Sequence, residues 1–122
     1  MKIIVPKELM RCFKALEKSL TKKDIDKFKN MDEDALSQLH HGFGTHIRNN
    51  FGLWGNKDDK DNSDVKKYFD SMGLHHADDM SAIIIQSWHR YLNKKSLGIE
   101  KQAQHYKDYW KTNNGTKGVE YD

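Results

Sequence analysis

The chain has 122 residues, of which 36% are hydrophobic, 32% charged and 11% aromatic, and its net charge is +3. That length fits one domain with a continuous core, and the aromatic content with helical periodicity argues against disorder. Its 21 basic and 18 acidic residues are interleaved, so the clustered cations of a nucleic-acid binder are missing, and the apolar run Ile3 to Val5 is too short for a signal segment or a membrane span.

Pro6 suits the opening of a helix, and Leu9, Phe13, Leu16 and Leu20 follow at helical spacing. Cys12, the only cysteine, lies within this pattern. It allows no intrachain disulfide, reads as a buried inert thiol, and with the missing membrane signals places the chain in a reducing cytoplasm. Thr21 and Asp24 form a capping arrangement for a short helix with Ile25 and Phe28. Asp32 then caps a longer helix whose apolar face is Leu36, Leu39, Phe43 and Ile47. Gly42 and Gly44 each weaken it by about 1 kcal/mol relative to Ala, which points to a close approach by a neighbouring backbone or a ligand.

Gly52-Leu53-Trp54-Gly55 ends that pattern, and residues 56–64 read as an exposed polar loop. Asp59, Asp61, Ser63 and Asp70 imitate part of a calcium-binding loop, but Asp64 replaces the turn glycine and Lys67 spoils the ligand series, so no calcium is expected. Ser63 starts a helix with Val65, Tyr68, Phe69 and Met72, which Gly73 stops. After Leu74-His75-His76-Ala77, the acids Asp78 and Asp79 favour the first turn of a central helix. Its apolar arc (Met80, Ile83, Ile84, Ile85, Trp88, Tyr91 and Leu92) is wide enough to be covered by several neighbours. A last amphipathic helix carries Ile99, Ala103, Tyr106 and Trp110. The expectation is an all-α fold of five to six short helices, one domain over residues 1–112 and a flexible tail over 113–122.

Two polar-aromatic stretches carry whatever chemistry there is. On a helix running from Leu36 to Phe51, His40 and Asn50 fall inside the apolar stripe, while His41, Thr45 and Arg48 share a polar flank. His40 and Asn50 are then either satisfied core residues or pocket linings. Arg48-Asn49-Asn50 before Trp54 offers a donor fork, amide-like readout and a stacking ring, suited to an anionic or nucleotide-like ligand. The alternative is an internal bridge from Arg48 to Asp78 or Asp79, with Trp54 as a core plug. In the second stretch, a helix N-terminus with His76, Asp78, Asp79 and Ser81 could assist a ligand. His75, His76 and Asp79 joining His40 or His41 would make a metal site, but no metal-binding spacing supports one, and neither metal nor cofactor is expected. His89 reads as a capped structural histidine at the edge of the central arc, and His105 as surface.

The pattern Gly44-x-x-Ile47-Arg48-Asn49-Asn50-x-Gly52-Leu53-Trp54, with His76-x-Asp78-Asp79-Met80-Ser81 and His89-Arg90-Tyr91-Leu92, resembles a small bacterial and phage domain family of uncharacterised function. The likeness runs over residues 6–110, with Ala77 where the family pattern has proline. It implies a domain and a place for a site, and supplies no catalytic residue. The leading functional expectation is a module binding a small anionic ligand: Arg48 pairs with the anion, Asn49 or Asn50 reads it, Trp54 stacks and His76 assists. The alternative is a protein-interaction module modulating a host protein through Tyr106, Tyr109 and Trp110. The third is a hydrolase using His40, His76 or His89 with Asp78. The ligand-binding expectation requires the arginine–tryptophan turn and the histidine–aspartate linker to fold into one patch.

Overall fold

The computed structural model describes residues 3–54 and 63–120, with side chains described as far as residue 111. All regular structure in these residues is helical: α1 (Lys7–Ser19), α2 (Lys22–Lys29), a 3-10 helix (Glu33–Leu39), α3 (Phe43–Asn50), α4 (Asp64–Ser71), α5 (Ala77–Leu92) and α6 (Ile99–Glu120). Gly55, Asp59 and Asp61 lie outside the described residues, whereas Ser63, Asp64, Lys67 and Asp70 of the calcium-like stretch are at the start of α4 and within it. No helix among the described residues is long and apolar enough to cross a membrane.

Two of the caps read from spacing form as bonds, whereas Asp32 starts the 3-10 helix without a side-chain cap bond. Thr21 Oγ1 accepts from the Asp24 amide at 3.1 Å, and Ser63 Oγ accepts from the Lys66 amide at 3.1 Å, each satisfying a first-turn donor. Gly52 closes α3 at φ +64°, which a β-carbon would disfavour, and lets the Leu53 amide reach back to the Arg48 carbonyl at 3.0 Å. The same closure at Gly73 returns Leu74 to Phe69 at 2.9 Å, and both leucines following the glycines are buried.

α5 is the hub. It packs against α1, α2, the 3-10 helix, α3 and α6, while α4 packs on α1. Met80, Ile83, Ile84 and Trp88 are fully buried, and Trp88 stacks on Phe28 with ring centroids 5.0 Å apart. Cys12, sealed between Leu9, Phe13 and Leu16 on α1, has its thiol pushed up to about 12 by burial, so it stays protonated and unreactive.

One element differs from the sequence reading. The single helix expected from Leu36 to Phe51 is instead a 3-10 helix and α3, separated by His40, His41 and Gly42. The His40 carbonyl accepts from the Arg48 guanidinium at 3.1 Å, a side-chain bond spanning eight residues that pins the turn between the two helices. The final helix spans Ile99–Glu120.

Candidate functional site

α3 lies against the first turns of α5, and Arg48 is the side chain that joins them. Arg48 is only 4% exposed. Its Nη1 donates to Ser81 Oγ at 2.9 Å, and Nη2 donates to Thr45 Oγ1 at 2.9 Å as well as to the His40 carbonyl. Nε faces Asp78 Oδ1 at 3.6 Å, an ion pair too long to be a hydrogen bond. The fork therefore ties three elements together, and Gly44 makes room for it: a β-carbon there would sit 3.0 Å from Nη1. Ser81 Oγ is occupied on both sides, because it also donates to the Asp78 carbonyl at 2.9 Å. It has no adjacent base to make it a nucleophile.

The two polar-aromatic stretches thus meet, at Arg48 with Asp78 and Ser81. Trp54 joins them from outside: 60% exposed, its indole N–H donates to Asn49 Oδ1 at 2.7 Å and its ring lies 5.5 Å from the Arg48 guanidinium carbon. It is not a core plug. Asn50 is exposed and donates to the His46 carbonyl at 2.7 Å, away from the patch, because α3 does not share one helical frame with Leu36. His40 stands half-buried at the patch edge, its Nε2 3.9 Å from Asp78 Oδ2, and exposed His41 packs edge-on against it.

On the other side of the α5 N-terminus, His76 stacks on Trp110 with centroids 3.8 Å apart, and the Trp110 indole N–H donates to Asp79 Oδ2 at 2.6 Å. Asp79 is 8% exposed. Burial lifts its carboxyl above the usual aspartate range, with adjacent Asp78 adding to the rise; the Trp110 bond, His76 and His105 oppose it without reversing it. His89 lies far from this patch, donating through Nε2 to the Met31 carbonyl at 2.8 Å, so its part is structural.

Between the 3-10 helix, α5 and Tyr106 of α6 lies a cleft of about 550 Å³. Leu36, Ala82 and Ile85 contribute its apolar lining, while Glu33, Asp34, His40, Asp78 and Asp79 supply its charged and titratable groups. A smaller cleft of about 290 Å³ lies beside the stacked His76 and Trp110 rings, with Gly73, Leu74 and Lys107 also lining it, and Asp79 and Tyr106 border both clefts. Glu33 accepts from Gln86 at 2.8 Å and from Arg90 at 2.9 Å, and these bonds hold its carboxyl below the usual range against partial burial. Glu33, Asp34, Gln86 and Tyr106 escaped the sequence reading of the site. The only sequence signal for the first two was a pair of acids after Asp32, which reads equally well as a dipole cap.

Among the described residues no three His, Cys, Asp or Glu side chains gather to hold a metal ion. His75 instead pairs with Asp70 at 2.9 Å. A family model described as a domain of unknown function (DUF6794) matches residues 5–92. The match takes in every cleft residue except Tyr106, which α6 supplies from beyond it. No curated protein and no solved structure matches the chain.

Proposed function

The chain belongs to the DUF6794 family, and we propose that it is a small-ligand-binding module whose site is the cleft between the 3-10 helix, α5 and α6. The observation that carries this reading is the cleft itself: about 550 Å³, within the range of small-molecule sites, with an apolar lining and convergent polar groups. Arg48 takes a supporting part in this reading. Its two terminal nitrogens are engaged by Ser81, Thr45 and the His40 carbonyl, and its buried Nε faces Asp78, so it holds Asp78 and Ser81 in place rather than meeting a ligand anion. The ligand's place accordingly moves from the arginine–tryptophan turn to the far side of Asp78. Among the described lining residues Ser81 has its hydroxyl engaged by Arg48 and by the Asp78 carbonyl, which favours binding over serine-based hydrolysis.

The test is a thermal-shift screen of small metabolites against the protein and an Ala82→Phe variant, which fills the cleft. Stabilising compounds that lose their effect in the variant support the reading. Compounds acting equally on both, or a screen without a stabilising compound, would contradict it.

Trp54 supports a second reading, a protein-interaction module. The ring is largely exposed, yet Asn49 and Arg48 hold it in one orientation, as suits a rigid aromatic anchor. Loss of a captured partner on Trp54→Ala, at unchanged fold, is its test, and an unaltered partner set counts against it. A cytoplasmic accessory role in a bacterium or phage is the setting both readings adopt, from the motif resemblance and the lone buried cysteine.

A further inference from the structure

Resting on the cleft reading, we infer that the cleft selects a small ligand with an ammonium or guanidinium head and a short apolar body. Two observations converge on this class. The first is the sign of the lining: Glu33, Asp34, Asp78 and Asp79 face the cleft, and no lysine or arginine among its described lining residues offsets them. Arg90 satisfies Glu33 from outside the lining, and Arg48 lies 3.6 Å from Asp78 with its fork turned to Ser81 and Thr45. That leaves Asp34 and Asp79 as the lining carboxylates with no lysine or arginine ion pair among the described residues, His76 and His105 being the imidazoles nearest to Asp79.

The second observation is Asp79 itself. It is more than nine-tenths buried, and only Oδ2 is bonded, to the Trp110 indole; Oδ1 accepts no hydrogen bond among the described residues. Oδ1 is not among the sealed, unsatisfied polar atoms of the described residues, so it stays open to a donor that enters from the cleft. A ligand N–H in the cleft that Asp79 lines would supply that donor, and a positive charge on the same atom would make the bond charge-assisted. Leu36, Ala82 and Ile85 would cover the apolar body, and Tyr106 would flank it. The volume suits a small molecule.

Isothermal titration calorimetry on the whole chain compares agmatine, uncharged N-butylurea and the anionic nucleotide AMP. The expected result is heat from agmatine alone. Asp79→Asn keeps an oxygen for the Trp110 indole but removes the charge, and should weaken agmatine binding about tenfold or more, with a smaller loss from Asp34→Asn. Asp26→Asn, an exposed change on α2, should leave binding unchanged. Circular dichroism confirms that each variant is folded. Binding of N-butylurea or AMP that Ala82→Phe abolishes, with no response to agmatine, would overturn the charge selection while leaving the cleft as a site. Heat from an arginine-containing tripeptide without heat from agmatine would overturn the small-ligand form. Silence from every probe, or agmatine binding indifferent to Asp79→Asn, would overturn the inference outright.

Discussion

Replacing Gly44 by Ala sets helix propensity against packing, and the structure decides which wins. Gly44 is buried in the first turn of α3, where propensity alone favours Ala by about 1 kcal/mol. The added β-carbon would lie 3.0 Å from Arg48 Nη1 and 3.3 Å from the Leu39 carbonyl oxygen. The carbonyl is backbone at the end of the 3-10 helix and cannot swing aside. The guanidinium can retreat only by stretching bonds to Ser81, Thr45 and the His40 carbonyl, now 2.9, 2.9 and 3.1 Å long. Overpacking of this kind costs about 1–3 kcal/mol, so the net effect is a loss of up to about 2 kcal/mol, or up to roughly 10 °C in Tm for a chain of this size. Urea and thermal melts followed by circular dichroism read it directly. Gly42→Ala is the control: no atom lies within 4 Å of its β-carbon, and the change should stay within a few tenths of a kcal/mol. In an Arg48→Met background the Gly44→Ala penalty should shrink or reverse, because the atom it strikes is gone. A Gly44→Ala protein more stable than the parent would refute the reasoning.

Arg48→Ala should cost about 2–4 kcal/mol through the loss of three charge-assisted bonds and the buried stem, and Arg48→Lys should recover less than half, since one ammonium cannot reach all three acceptors; urea titration separates the two. For Asp79 the folded carboxyl titrates above its ordinary value of 3.8, so the folded state disfavours the charge and this contribution to stability declines as pH rises through that raised window. Asp79→Asn, free of that loss, should melt higher than the parent at neutral pH, with the gap closing as pH falls toward 3.8; the charged and titratable groups around it (Asp78 and His76 on its own helix and cap, His105 and Tyr106 from α6, and Glu33, Asp34 and His40 across the cleft) are unchanged in both proteins. A gap that widens on acidification would contradict it. Glu33 has the opposite sign: its lowered carboxyl lends stability present above 4.5 and lost as pH falls through the folded value, so Glu33→Gln should destabilise at neutral pH and approach the parent in acid, read by the same melts.

Much of the architecture was legible because it is local. Thr21 and Ser63 sit three residues before the amides they accept from, the glycines at 52 and 73 stand where chain reversal needs them, and the wide arc of α5 announced a helix covered on several sides. The meeting of Arg48 with Asp78 was among the readings weighed from residue type alone, and it forms. What the sequence concealed depends on long-range bonds. Periodicity cannot show that Arg48 will reach the His40 carbonyl and split one expected helix in two, and with that split Asn50 turns outward. The amphipathic stripe holds Trp110 without fixing the angle at which α6 docks; that angle places the ring on His76 and Asp79. Glu33 and Asp34 give no signal beyond a pair of acids after Asp32, and only the packing of the 3-10 helix beside α5 turns them toward a cleft.

The account depends most on where a cationic ligand settles. An amide-resolved NMR titration of isotopically labelled protein with agmatine locates it. The amides of Ser37, His40, Asp79, Ala82 and Gln86 should move together along one saturating curve while Leu53 and Trp54 stay in place. Shifts centred on the turn from Arg48 to Trp54, or scattered over the acidic surface without saturation, would contradict the account.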